Sequence, residues 1–124
     1  MGKDSKVAQE KLQKKELAPL TTPYFRHMIF FDPQTLWTKV SCPVLALNGD
    51  GDIQVSADKN LEAIKNVLQS GGDKDVTVIK LPGLNHLFQT CKSGMPSEYA
   101  TIEETIAPQV LDIIATWILK QTSQ

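Results

Sequence analysis

The chain predicts an α/β fold: a βαβ unit of two parallel strands, flanking helices and a C-terminal amphipathic helix. Three observations predict it. Pro43-Val-Leu-Ala-Leu-Asn48 is a continuous apolar run, the pattern of a parallel strand buried on both faces. Residues 75–81 form a second run rich in β-branched side chains. Between them, Leu61, Ile64 and Leu68 recur at helical spacing, so strand, helix and strand follow one another at lengths that suit a right-handed crossover.

Length and composition set the frame. The 124 residues amount to one domain or a piece of a larger one. Hydrophobic content of 41% and charged content of 22% are globular values. A net charge of -1 gives no overall field that would recruit nucleic acid or anionic lipid. Lys3, Lys6, Lys11, Lys14 and Lys15 are diluted by Asp4 and Glu10 and read as a solvated helix face rather than a nucleic-acid patch. Cys42 and Cys91 make no disulfide framework; two free thiols are expected, with a bridge between them left open. The N-terminus is too polar for a signal peptide, and no apolar run approaches ~20 residues. The expectation is no membrane span and a cytoplasmic location, any signal lying upstream of this chain.

Residues 1–20 are expected to hold a mobile or docking helix over 5–18, with only Val7, Ala8 and Leu12 on its apolar stripe. Residues 21–124 form the body. Thr22 and Pro23 open a short helix through the aromatic segment Tyr24 to Phe31, which Asp32-Pro33 closes; Asp32 then starts a further turn through Leu36 and Trp37. The aromatic segment reads first as core packing and second as a pocket wall. Ser56 caps the crossover helix, and Gly71-Gly72 ends it near Ser70. Residues 87–98 read as a loop or short helix. Residues 102–120 read as helix, with Val110, Ile113, Ile114, Trp117 and Ile118 on one apolar face; Pro108 either starts the main helix or kinks a longer one.

The chemistry sits at the strand ends. Asp52 follows the first strand and His86 the second, each in a turn past the carboxyl end, where parallel sheets bind ligands. An acid there can accept the Nδ1–H of a neighbouring histidine, fix its tautomer and stabilise the imidazolium. Acid followed by histidine is the second half of a Ser…Asp…His order. Asp50 competes for the acid's place; the frame Gly49-x-x-Asp52-x-x-Val55 favours Asp52. Either aspartate also suits a simple turn, and a loop histidine often bonds nothing more than a carbonyl. His27 reads as packing or surface. Asn48-x-Asp50-x-Asp52 imitates a calcium loop but places Ile53 where glycine belongs and Lys59 where glutamate belongs. The same aspartates make a weak magnesium-motif match, and Cys91 with His86 has nothing that would activate the thiol. No metal or cofactor is therefore expected.

Taken together, Cys42-Pro-Val-Leu-Ala-Leu-Asn-Gly49 running into Asp52-x-x-Val55, and Leu81-Pro-Gly-Leu-Asn-His-Leu-Phe88, resemble the C-terminal part of the α/β-hydrolase fold. Pro23-Tyr-Phe-Arg26 and Ser97-Glu-Tyr99 look like a bacterial esterase- and serine-peptidase-like branch. The resemblance covers about residues 20–120. It implies a partial α/β-hydrolase fold, with Asp52 as triad acid, His86 as general base and residues 1–20 as a remnant of the lid region. It also implies that nucleophile and oxyanion hole belong to an N-terminal half. None of Ser5, Ser41, Ser56, Ser70, Ser93, Ser97 or Ser123 sits in a Gly-x-Ser-x-Gly elbow. The expected function is thus the acid–histidine segment of a serine hydrolase acting on an ester, thioester or peptide bond, inactive alone. A small ester-like substrate enters only once a complementary half is supplied. The alternative is a non-catalytic module that homodimerises or binds a partner, because two strands leave apolar edges and faces uncovered.

Overall fold

A computed structural model of the chain describes residues 22–123. The helix expected over 5–18 lies outside them. The described residues fall into two units, 22–33 and 34–123, which are taken separately.

The first unit is one helix, α1 (Pro23–Phe30). Thr22 accepts the Phe25 N–H at 3.2 Å and Pro23 occupies the first turn, as the sequence indicates. Core packing of the aromatic segment is not found: no residue of α1 is buried, and Tyr24 and Phe30 are 76% and 80% exposed. His27 is also exposed, its ring centroid 5.7 Å from that of Phe31.

The second unit runs α2 (Gln34–Trp37), β1 (Val44–Gly49), α3 (Ala57–Ser70), β2 (Val76–Leu81), a 3-10 helix (Pro96–Thr101) and α4 (Pro108–Thr122). The two strands pair in parallel from Val44↔Val76 to Gly49↔Leu81. Side chains alternate across a sheet, so this register sorts the residues by face. Lys80 reaches Asp58 of α3 and Asn48 reaches Asn60 of α3, which puts the even-numbered residues under α3. Leu47, Ile79 and Leu81 join Leu84, Ala107, Val110, Ile113 and Ile114 in the core on the α4 side. The sheet is a middle layer between two helices, the arrangement that buries both faces of a parallel pair.

The structure refines the sequence expectations in detail. The apolar run of β1 predicts a strand buried on both faces, yet four of its residues are only half-buried, as are four of β2. With two strands every strand is an edge, and each has a side with no neighbour. Ser56 stands at the N-cap of α3, but its side chain makes no capping bond. Of the two alternatives for Pro108 the first holds: the main helix begins there, and residues 102–107 are not part of it. Residues 102–107 are instead drawn to the loop after β2, where the Phe88 carbonyl takes the Ala107 N–H at 2.8 Å and Gln89 Nε2 donates to the Glu104 carbonyl at 3.0 Å. On α4 only Val110 is buried, and Ile118 is 48% exposed despite its place on the expected apolar face.

Candidate active site

The turn after β1 separates its two aspartates by task. The Asp50 carboxylate accepts the Gly83 N–H at 2.6 Å, tying the β1 turn to the Pro82-Gly83 turn that ends β2. Asp52, two residues on, faces His86: Oδ2 lies 2.9 Å from Nδ1. The competition left open by the sequence is thereby resolved, with Asp50 fastening the scaffold and Asp52 meeting the histidine.

Backbone contacts force this geometry. Gly49 ends β1 hard against the loop that carries His86; an added Cβ there would stand 2.1 Å from the Leu84 carbonyl oxygen. The Gly51 N–H donates to that same carbonyl at 3.0 Å. No side chain fits between the two turns, so they approach closely enough for a short carboxylate and an imidazole to touch.

The His86 loop is built on a buried amide. Asn85 is fully buried; its Oδ1 accepts the N–H groups of Leu87 and Gln89 at 2.9 and 3.0 Å, and its Nδ2 donates to Gln89 Oε1 at 3.0 Å. Phe88 closes the loop with φ at 59°, a left-handed conformation that costs a bulky side chain energy. That energy is offset by the buried bonds around it.

Asp52 is enclosed while His86 is open: their side chains are 5% and 40% exposed. Burial alone would raise the Asp52 pKa. The hydrogen bond from His86, the Val55 and Gln54 N–H groups at 2.9 Å each, and the charge on the imidazole outweigh burial and hold it below its ordinary value. An ionised carboxylate only accepts, so Nδ1 carries a proton, and whenever the ring is neutral Nε2 keeps its lone pair. The pair borders a recess of about 220 Å³ lined also by Leu47, Asn48, Val55 and Phe88. No serine, threonine or cysteine is among its lining residues.

Cys91 lies near the same turns but is a poor nucleophile. Burial, with the charges of Glu98 and Asp50, pushes its thiol pKa up, and Sγ donates to the Gly83 carbonyl at 3.5 Å. Cys42 and Cys91 are both free thiols. Among the described residues no three His, Cys, Asp or Glu side chains gather as a metal site, and no helix is long and apolar enough to cross a membrane.

Sequence reasoning missed the amides. Asn60 donates to Asn48, which donates to Asp52, and Asn85 with Gln89 frames the histidine loop. A signal was present: an asparagine closing an apolar strand, and another beside the turn histidine, are both polar residues where burial is expected. Compared with protein-family models, curated proteins and solved structures, the chain finds no match.

Proposed function

We propose that Asp52 and His86 are the acid and base of a serine-hydrolase triad, and that the nucleophile is supplied by a complementary half and not by this chain. The observation that supports this is the 2.9 Å contact between a buried carboxylate held ionised and the Nδ1 of a half-exposed histidine, at the carboxyl ends of neighbouring parallel strands. His86 Nε2 takes the proton of an incoming serine hydroxyl as its oxygen bonds to the acyl carbon. Asp52 stabilises the imidazolium, which then returns the proton to the leaving group as the acyl bond breaks. Water, deprotonated by the same nitrogen, then bonds to the acyl carbon; the ester bond to the serine breaks, the imidazolium returns the proton to the serine oxygen, and the acid leaves. The oxyanion donors accompany the nucleophile in the fold this chain resembles, so a small ester, thioester or peptide bond is acted on only in the complemented site.

A fluorophosphonate probe tests this. The chain alone should not label, and ester hydrolysis should not exceed that of free imidazole. Joined to a complementary half that carries a Gly-x-Ser-x-Gly serine, it should label on that serine, and His86→Ala should abolish the labelling. Labelling of a serine in this chain, or labelling indifferent to His86→Ala, overturns the proposal.

A second reading, a dimerising or partner-binding module, draws on the groove beside β1. Pro43, Val44, Leu45, Leu47, Ile114 and Trp117 line a depression of about 500 Å³. Among the described residues β1 pairs only with β2, so its other edge presents unpaired backbone groups next to apolar surface. A strand added there would extend the sheet and cover the groove.

A further inference from the structure

Asp52 Oδ2 has a second donor besides His86: Asn48 Nδ2 lies 3.1 Å away. Asn48 is 5% exposed at the last turnward position of β1 under α3. Its amide nitrogen also points at the carbonyls of Gly49 and Val55, at 3.4 and 3.5 Å, distances too long to fix its orientation. Its oxygen is held more firmly, accepting Nδ2 of Asn60 at 2.8 Å. Asn60 is anchored in the first turn of α3, its N–H donating to the Ser56 carbonyl at 2.9 Å.

An asparagine amide has a donor end and an acceptor end of nearly equal size, and its neighbours decide which end faces where. With its oxygen engaged by Asn60, Asn48 must present its NH2 group to Asp52. Turned the other way, it would set an oxygen against a carboxylate oxygen in a buried site and leave its own oxygen there without a donor. We infer that Asn60 and Asn48 are positioning residues, a two-amide relay from α3 that holds Asp52 in the orientation in which Oδ2 meets His86. The assignment of a catalytic purpose rests on the hydrolase reading; the relay itself does not. Asp52 is then fixed from three sides: by the turn through Gln54 and Val55, by the relay, and by His86.

The test is a double-mutant cycle on the full chain, with Asn48→Leu, Asn60→Ala and the pair together. Asn48→Leu keeps the volume and removes the amide. Asn60→Ala puts a good helix former on α3 and is the variant expected to fold without difficulty. The readouts are the pH titration of the Asp52 carboxyl carbon and the nitrogen shifts of the His86 ring. General loosening of the core is recorded separately, by melting followed by circular dichroism. Asn60→Ala should move the Asp52 titration up toward the ordinary carboxylate range and weaken the Nδ1–H signal. Asn48→Leu should do more, and the double variant no more than Asn48→Leu, since both act through one bond. Unchanged titration in Asn60→Ala, or effects that simply add, overturns the relay. If Asn48→Leu fails to fold, the Asn60→Ala titration decides alone. No nucleophile is needed, so a failed relay leaves the fluorophosphonate result standing, and a failed hydrolase reading leaves the titration interpretable.

Discussion

The Asp52 carboxylate and the His86 imidazole, 34 residues apart in the chain, meet at 2.9 Å across the ends of two parallel strands. One partner is enclosed and the other half open, so the histidine faces outward with its proton position already set. Asp50, nearly adjacent in sequence, points its carboxylate elsewhere.

That division predicts opposite results for two similar substitutions. Asp52→Asn should abolish the Nδ1–H signature of His86 in nitrogen NMR, because an amide no longer offers a charged acceptor. Asp50→Asn should leave the signature in place and lower stability by about 1 kcal/mol, the usual worth of one charge-assisted bond to a backbone N–H once an amide oxygen replaces it. Loss of the signature in Asp50→Asn and its retention in Asp52→Asn would reverse the assignment.

Acid should destabilise the fold through a small set of carboxylates. Asp52, Glu98 and Glu104 all sit below their ordinary values. Burial opposes the shift at Asp52, where hydrogen bonds from His86, Val55 and Gln54 prevail; Glu98 is lowered first by its bond with Ser93 and Glu104 by the Thr90 N–H. A carboxyl group with a depressed folded-state pKa stabilises the fold fully above its unfolded value and loses that contribution as pH falls through the folded value. Urea midpoints should therefore be level from neutral pH to the upper carboxylate range and fall below it. Asp52→Asn should flatten that fall; an equally steep acid limb in the variant would count against the linkage.

The approach of the two turns depends on Gly49. In Gly49→Ala the new methyl meets the Leu84 carbonyl oxygen at 2.1 Å, so one turn must shift. A loss of about 3 kcal/mol is expected, together with a weakened Nδ1–H signal from His86. Asn85→Ala should cost about as much by a different route, leaving the N–H groups of Leu87 and the buried Gln89 without their acceptor. Thermal melts near the wild-type midpoint for either variant would show that the loop is held in some other way.

The β1 edge predicts association. Size-exclusion chromatography with light scattering should find dimers at micromolar concentration, and Ile118→Arg at the groove rim should shift them toward monomers. A monodisperse wild-type monomer removes the support for a dimerising module.

Local pattern was enough for the elements. The apolar run of β1, the β-branched run of β2 and the Leu61–Leu68 spacing of α3 each reflect which side chains one element must bury, and periodicity records that directly. Asp52 and His86 were legible for the same reason, since both stand just past strand ends. The exposure of α1 was not legible: aromatic density says that a segment is apolar, not what surrounds it. The start of α4 at Pro108 was one of two readings; what excluded residues 102–107 was their bonds to a loop about fifteen positions earlier. Three things were decided only in three dimensions. The sheet register and the bare contact at Gly49 brought the two turns together. The carboxylates of Asp50 and Asp52 parted to separate partners. Asn48, Asn60 and Asn85 found hydrogen bonds that no spacing in the chain announces. Sequence by itself determines what each segment must bury. Hydrogen bonds between distant polar groups exist only once the backbone has set their distances, so the site's support belongs to the tertiary structure.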